Sequence, residues 1–311
     1  MAFTTSGAAT GATLIQEIYR DGFINAVFYS NLLGMVLPSG REVFPKLDSG
    51  GGLHSNWIVK RAGNDSVELF TEGQAQPAAG NQSYSHAAVS PIYLRAMCQI
   101  TGHAQDAMRS NYAGISVIDS EVSGAAADIS SEMSSQFLGS TYGLELAIDD
   151  TATYAGISRG SAAYWESLVT AHNAALTTDV LLDTLEAMTD DPIGVVPELI
   201  MVPPNQSTNL YRLGGPHLVA NNNPADKAPN YLSQSFAGVP VAGVPGLTST
   251  IALFLSLGPT DAPLWCVEVW RPMAVRQMGA VGDSDLMQVS TGASFVCRSP
   301  KLQAKIEGIA A

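Results

Sequence analysis

The chain has 311 residues, of which 46% are hydrophobic and only 14% are charged, and its net charge at pH 7 is −13. A chain of this length can build one to three domains with a full core, yet it has few charges for a surface that faces water. Because phosphate binding requires clustered lysine and arginine, the acidic balance excludes a chain-wide nucleic-acid-binding surface. Scarce charge is typical of extensive protein interfaces, but also of a surface that is merely rich in glycine, alanine and serine.

The cysteines and the N-terminus indicate a reduced, non-membrane setting. Cys98, Cys266 and Cys297 lie far apart in apolar stretches and form no CxxC motif. Such a set predicts buried, reduced thiols in a cytosolic protein rather than a disulfide framework. No apolar run reaches the length of a membrane-spanning helix, and the N-terminus lacks the basic start of a secretory signal. We therefore expect no membrane partner.

The first 101 residues predict a helix and a hairpin-like arm. Residues 12–37 are roughly amphipathic and predict a helix that ends near Gly34. Residues 53–101 are rich in strand formers on both sides of a polar segment, residues 72–83, which has no apolar side chain larger than alanine. Two long strands joined in this way lack a core of their own. The arm must therefore pack on another part of this chain or on a neighbouring chain.

A long helix is predicted over residues 114–138, after a short helix at 102–111. Its apolar residues recur in steps of three and four, the period of one helix face: Ile115, Ile118, Val122, Ala125, Ala126, Ile129, Met133 and Phe137. The other face is mostly serine. A helix of roughly 24 residues is about 36 Å long, about twice the usual length. It is either an ordinary core helix or a rigid beam between the segments on either side.

Beyond residue 143 the pattern predicts a mixed α and β region. The predicted elements are strand-like pieces at 155–157 and 164–165, a helix capped by Thr177, a buried strand at 198–202, a helix that begins at Pro204, and strands from residue 263 onward.

The sequence offers little catalytic chemistry. Residues 156–160 match GxSxG, but a nucleophile elbow needs a strong strand before Ser158 and a helix directly after it, and the polar sequence here predicts neither. The histidines share no metal-ligand spacing. The pairs Asp149-Asp150 and Asp190-Asp191 are typical of turns and caps rather than of an acid–base pair. We predict no catalytic residue, metal or cofactor; a serine hydrolase that uses Ser158 is the minor alternative.

The order of the elements resembles the major capsid protein of tailed bacteriophages, which has the Hong Kong 97 type of fold. The segments that carry the resemblance are residues 72–77, 137–143, 156–159, 164–165, 199–202, 204–205, 279–284, 295–298, 300 and 306–309. Each match is short, so the resemblance depends on their order, their spacing and their coverage of nearly the whole chain.

The resemblance implies an α+β fold with four parts. They are an N-terminal arm at 1–52, an extended β-hairpin loop at 53–90, a peripheral domain at 91–142 and 270–311 with a spine helix at 114–138, and an axial domain at 143–269.

The resemblance also implies a function in the virion. Identical subunits would form pentameric and hexameric capsomers of an icosahedral or prolate head shell, which encloses double-stranded DNA without sequence-specific binding. Assembly would occur in the host cytoplasm, with a separate scaffolding protein, a portal and a decoration protein as candidate partners. An encapsulin-like nanocompartment shell protein, which shares the fold, is the main alternative.

The candidate contacts between subunits lie in the loop and in the axial domain. They are Trp57, Phe70, Glu72, Gln76, Pro77, Tyr84, Arg159 and Trp165. Some members of the family crosslink through a lysine near the loop tip. Here Gln76 and Ala78 flank Pro77, so we expect no crosslink of that type.

Overall fold

The computed structural model describes residues 35, 37, 40–49, 52–64, 66–69, 71–72, 74–76, 78–103, 117–190, 193–213, 218–220, 234–280 and 282–310. Its strands are Lys46–Asp48 (β1), Ser55–Ala62 (β2), Ser83–Val89 (β3), Ile92–Thr101 (β4), Leu168–Ala171 (β5), Leu199–Val202 (β6), Leu218–Ala220 (β7), Gln234–Phe236 (β8), Val239–Gly243 (β9), Ala252–Leu255 (β10), Trp265–Ala280 (β11), Ser284–Cys297 (β12) and Ala304–Glu307 (β13). Its helices are Val117–Leu138 (α1), Leu144–Ala147 (α2), Thr178–Thr189 (α3) and Pro204–Leu213 (α4), with 3-10 turns at Arg159–Ser161 and Pro300–Leu302. The predicted helix that ends near Gly34 and residues 104–111 of the predicted short helix lie outside the described residues.

The chain divides into two compact units. Unit 1 contains the described residues within Tyr93–Met133 and Arg271–Gly292, and unit 2 those within Ser30–Ile92, Ser134–Trp270 and Ala293–Ala311. The four-part division that the resemblance implies remains a prediction; in unit 2, residues 134–142 group with residues 293–311. An aromatic cluster gives the reason: the rings of Phe137 and Phe295 stack with centroids 5.0 Å apart, and Phe295 also contacts Phe44 and Trp265.

The long helix forms over Val117–Leu138, and residues 114–116 of the prediction lie outside the described residues. Ala125, Ile129, Met133 and Phe137 follow one another at steps of four residues and are all buried. In unit 1, this face and strands β4 and β12 share a core of Leu94, Ala96, Cys98, Val122, Ala125, Ala126, Ile129, Met287 and Val289. The apolar side chains of this helix face therefore hold α1 against strands β4 and β12.

The predicted hairpin forms, but its second strand is divided. Strands β2 and β3 pair antiparallel from Ser55 with Val89 to Ala62 with Ser83, as a two-stranded sheet. Strand β4 instead belongs to a four-stranded sheet of order β1-β11-β12-β4. Pro91 lies between β3 and β4 and has no N–H to donate, so it interrupts the hydrogen-bond ladder at this point.

Unit 2 contains a seven-stranded mixed sheet of order β5-β13-β10-β6-β9-β8-β7. Every residue of β6 is buried, and the Thr177 side chain accepts a hydrogen bond from the N–H of Val180 at the start of α3. Both predictions are confirmed, as is the helix that begins at Pro204. The apolar sides of α3 and α4 pack on this sheet through Leu181, Leu185, Met188 and Leu210.

The prediction of strand-like pieces at 155–157 and 164–165 is wrong. Residues 154–157 form a tight turn closed by an isolated bridge between Tyr154 and Ile157. Ala155 and Gly156 have φ angles of 52° and 78°, in the left-handed region that extended chain does not use. Residues 164–165 lie in a turn after the 3-10 turn at Arg159–Ser161.

The cysteines are buried and unpaired, as predicted. Burial raises the pKa of Cys266 to about 11, so this thiol stays protonated at neutral pH. Among the helices of the described residues, none combines the length and apolar character that a membrane crossing requires.

We expect the Ile129→Asp variant to lose roughly 4 kcal/mol of unfolding free energy, since it removes buried packing and leaves an unpaired charge in the core. Ser135→Asp adds the same charge to the same helix at an exposed position, where the change should stay below about 1 kcal/mol. Urea unfolding of the isolated chain measures both. Equal stability of the two variants would contradict the burial of Ile129.

Candidate functional site

The far end of the hairpin, residues 63–82, is exposed at almost every described position; we call it the hairpin tip. Val67 is 84% and Leu69 100% exposed. A local turn gives the tip some order, because the N–H of Gln74 donates to Thr71 O at 3.0 Å and the Gln74 side chain accepts from the Thr71 N–H at 3.1 Å. The described apolar side chains Val67 and Leu69 are thus left in solvent, which is the expected property of a contact surface.

Only some of the predicted contact residues of the hairpin lie in its described, exposed part. Glu72 and Gln76 lie in the tip and are exposed, and Tyr84 is exposed at the start of β3. Phe70 and Pro77 lie outside the described residues. All of these remain candidates for contacts with a neighbouring subunit.

The other end of the hairpin, its root, is fixed to unit 2. The ring of Trp57 lies 6.4 Å from that of Trp165, and its Nε1–H donates to Arg298 O at 3.3 Å. Ser85 and Tyr164 share a hydrogen bond of 3.0 Å between their hydroxyl groups, and the Arg61 guanidinium lies 5.7 Å from the centre of the Tyr164 ring. The subunit's own body therefore orients the hairpin, and Trp57 is half-buried in this root.

Arg159 organises the turn on which the root lies. Its guanidinium donates to four backbone oxygens: Leu146 O at 2.9 Å, Ala147 O at 2.6 Å, Ala152 O at 3.2 Å and Trp165 O at 3.3 Å. It also lies 5.6 Å from the centre of the Tyr154 ring. Burial lowers the pKa of Arg159, and the charge of Asp149 opposes this shift. The side chain thus ties residues 146–165 into one compact piece.

For Arg159 and Trp165 the prediction of a contact between subunits is corrected. Their exposed fractions are 0% and 1%, so a neighbouring subunit has no surface of these side chains to touch. Trp165 stacks on Tyr154 at 6.3 Å and donates from Nε1 to Tyr154 O at 3.2 Å. Both residues instead hold together the interior of the subunit beneath the hairpin root.

Asp149 forms a second polar centre, which the sequence indicated only in part. Its Oδ1 accepts from the N–H groups of Thr151 and Ala152, both at 2.8 Å, as predicted for a turn residue. Its Oδ2 lies 3.1 Å from Nζ of the buried Lys305, which also contacts Glu307 at 3.3 Å. Burial alone would raise the pKa of Asp149, but these hydrogen bonds and Lys305 hold the pKa well below its usual range. No local sequence signal pairs Asp149 with Lys305.

Ser158 does not have the surroundings of a catalytic nucleophile. It is exposed and precedes the 3-10 turn at Arg159–Ser161, where an elbow needs a strand before the serine and an α-helix after it. The ring of the half-buried His172 contacts Ala175 O at 2.8 Å. Among the residues that the structure describes, no cluster of histidine, cysteine, aspartate and glutamate could hold a metal ion.

The sequence matches the model of a known protein family. The model of a family described as SU10 major capsid protein matches residues 67–310. No curated protein matches the sequence.

The fold is similar to that of solved capsid structures. A chain of the cyanophage A-1(L) capsid is 16% identical, with 93% of this chain and 96% of that chain covered and a TM-score of 0.73. A capsid chain of a native GTA particle is 11% identical, with 98% and 99% covered and a TM-score of 0.67. A chain of the mature capsid of bacteriophage PhiM1 is 12% identical, with 93% and 90% covered and a TM-score of 0.56. At these identities the likeness shows the fold, and it confirms the predicted mixed helix-and-sheet class.

We expect Arg159→Lys to lower the unfolding free energy by about 3 kcal/mol, since one ammonium cannot reach all of the carbonyls and each unsatisfied group costs about 1–3 kcal/mol. Arg61→Lys is the matched control, because Arg61 is exposed and its change should stay within about 0.5 kcal/mol. Chemical denaturation of the unassembled subunit gives both values. If Arg159→Lys is as stable as the control, the guanidinium does not organise this turn.

We expect Asp149→Asn to lower the unfolding free energy by about 2 kcal/mol at neutral pH, since charge-assisted hydrogen bonds are lost. The native pKa of Asp149 is lower than its unfolded value of about 3.9, so its contribution is complete above that value and is lost as the pH falls toward the native pKa. The stability gap between the two proteins should therefore narrow below about pH 4. Unfolding curves at pH 7, 5 and 3 measure it, with the exposed Asp150→Asn as control. A gap that does not change with pH would contradict the role of the Asp149 charge.

Proposed function

The chain belongs to the SU10 major capsid protein family, and we propose that its subunits assemble into pentameric and hexameric capsomers of a bacteriophage head shell. In this proposal the shell is icosahedral or prolate and encloses the double-stranded DNA genome. The named parts of the Hong Kong 97 type of fold, with an extended loop, peripheral and axial domains, belong to the same proposal.

The exposure of the hairpin tip is the observation that carries the proposal. A two-stranded hairpin is marginally stable without further packing, and this one leaves Val67 and Leu69 almost wholly in solvent. In a ring of identical subunits each tip can lie on the next subunit, so that every copy covers one tip and donates one. The root contacts at Trp57 and Tyr164 support this arrangement, because they orient the projection before any neighbour is present.

The charge of the chain supports the proposed contents of the shell. A net charge of −13 repels phosphate, so a shell of these subunits would enclose DNA without binding it tightly. Because only 14% of the residues are charged, much of the subunit surface is suited to burial against other subunits. The subunit would assemble in the host cytoplasm with a separate scaffolding protein, a portal and a decoration protein as further partners, and would end in the virion.

The size and contents of assembled particles test the proposal. The chain is expressed alone and with candidate scaffolding protein, and particles are examined by size-exclusion chromatography and electron microscopy. We expect capsomers or megadalton shells. A small closed cage that holds protein rather than DNA would favour the encapsulin-like alternative, and a monomer under all conditions would overturn both.

We expect replacement of residues 63–81 by Asn-Gly to leave a folded subunit that cannot close shells. Ala62 pairs with Ser83, so a short turn can join the strands without disturbing the root. Circular dichroism checks the fold and electron microscopy checks assembly.

The control for this replacement is Ala78→Ser with Ala79→Ser, a variant that keeps the full length of the tip and retains Val67 and Leu69. It should assemble normally. Normal shells from the shortened protein would show that the tip is dispensable.

A further inference from the structure

One face of the hairpin is turned toward the rest of unit 2. Residues that pair across two antiparallel strands share a face, and side chains alternate along each strand. The pairs Trp57 with Ala87 and Val59 with Ser85 therefore lie on one face. Ala87 is fully buried there, whereas Ile58, on the other face, is 73% exposed. The hairpin is thus anchored through the face that carries Trp57.

The ladder of the hairpin contains a bulge where this anchored part ends. Lys60 pairs with Tyr84 and Ala62 with Ser83, so Arg61 is an extra residue in β2. A bulge disrupts the ladder locally and bends its strand. Since the regular pairing that stiffens the hairpin is interrupted here, the direction of the hairpin tip depends on what holds the strands at the bulge.

The side chain of Tyr164 contacts both strands at this level. The Arg61 guanidinium of β2 lies 5.7 Å from the centre of the Tyr164 ring. The Ser85 hydroxyl of β3 lies 3.0 Å from the Tyr164 hydroxyl. In contrast, the hydrogen bonds between described residues of the tip join residues of the tip to one another. Those bonds cannot set the direction of the tip relative to the rest of unit 2.

The backbone that carries Tyr164 is closely fixed. The next residue, Trp165, is 1% exposed and stacks on Tyr154, and its backbone oxygen accepts a hydrogen bond from the buried Arg159. Tyr164 itself is half-buried. A side chain on such a backbone has few accessible positions, so Tyr164 is a rigid support for the hairpin.

We propose that Tyr164 is a positioning residue for assembly, because it fixes the bend of the hairpin at Arg61 and with it the direction in which the tip projects. A tip held in one direction is preorganised for contact with another subunit. A tip that swings at the bulge loses more conformational entropy on contact. The inference rests on the proposed self-assembly and adds the residue that sets the direction of the projection.

The direction of the tip can be measured in the isolated chain. Nitroxide labels on Leu69→Cys in the tip and Asp183→Cys on α3, both exposed, report their separation by pulsed electron paramagnetic resonance. The native cysteines are buried and should not react. In this background Tyr164→Ala should broaden the distribution of distances. Tyr142→Ala, which removes an exposed tyrosine of unit 2, should not. An unchanged distribution in Tyr164→Ala would overturn the proposal.

A second variant leaves Tyr164 in place. Arg61→Ala with Ser85→Ala removes both partners of Tyr164 from the hairpin and should broaden the distribution in the same way. Thermal unfolding checks that each variant is folded, and if Tyr164→Ala does not fold, the double variant decides. A double variant with the distribution of the unmodified chain would show that these contacts do not direct the tip.

Deletion of Arg61 tests the bulge. Without this residue, β2 and β3 can pair in one regular register, so the bend is lost and the mean distance should shift. Deletion of Gly63, which is exposed and lies beyond the bulge, shortens the same strand by one residue and keeps the bulge. The shift should be larger for the Arg61 deletion. Equal shifts from the two deletions would contradict a bend at Arg61.

Electron microscopy of particles tests whether this direction matters for assembly. Tyr164→Ala and the double variant should lose the closed shells that the unmodified protein forms. If the unmodified protein forms no capsomers or shells, self-assembly itself is wrong. If it assembles, and variants with broadened distributions also form normal shells, self-assembly stands and the positioning role of Tyr164 is wrong.

Discussion

The surface around Arg159 depends on the hydrogen bonds that its buried guanidinium donates. A cation removed from water is tolerated only when its donors are satisfied, and here four backbone oxygens satisfy them. Those oxygens belong to residues 146–165, a segment with little regular secondary structure. Because the segment is closed around one side chain, Tyr154, Tyr164 and Trp165 take fixed positions, and the hairpin root packs on them.

The contrast between the hairpin's root and tip explains how a subunit can be stable alone and still be suited to assembly. The root has aromatic, hydrogen-bond and cation–π contacts with its own chain. The hydrogen bonds between described residues of the tip are local, and Val67 and Leu69 are left in solvent. In the proposed assembly, orienting the projection in advance lowers the conformational entropy that is lost when a neighbour covers it.

The distribution of charge is more informative than its total. A net charge of −13 favours solubility and repulsion from DNA, but it does not indicate where subunits would meet. Arg95, Arg271 and the glutamates of the hairpin tip lie at exposed positions beside apolar side chains. At an interface such charges act mainly on partner choice and register, while the apolar area supplies most of the attraction.

Local patterns in the sequence determined the buried face of α1, the hairpin, the Thr177 cap and the buried strand β6, because helix and strand periods and capping depend on residues close in the chain. The order of these segments also led to the capsid family. Only the tertiary structure decided that Arg159 and Trp165 are internal, that Pro91 separates two sheets, and that Asp149 pairs with Lys305, 156 residues away. Burial and ion pairing depend on contacts between distant segments, and the residue types that form such contacts also occur on surfaces, so no local pattern distinguishes the two.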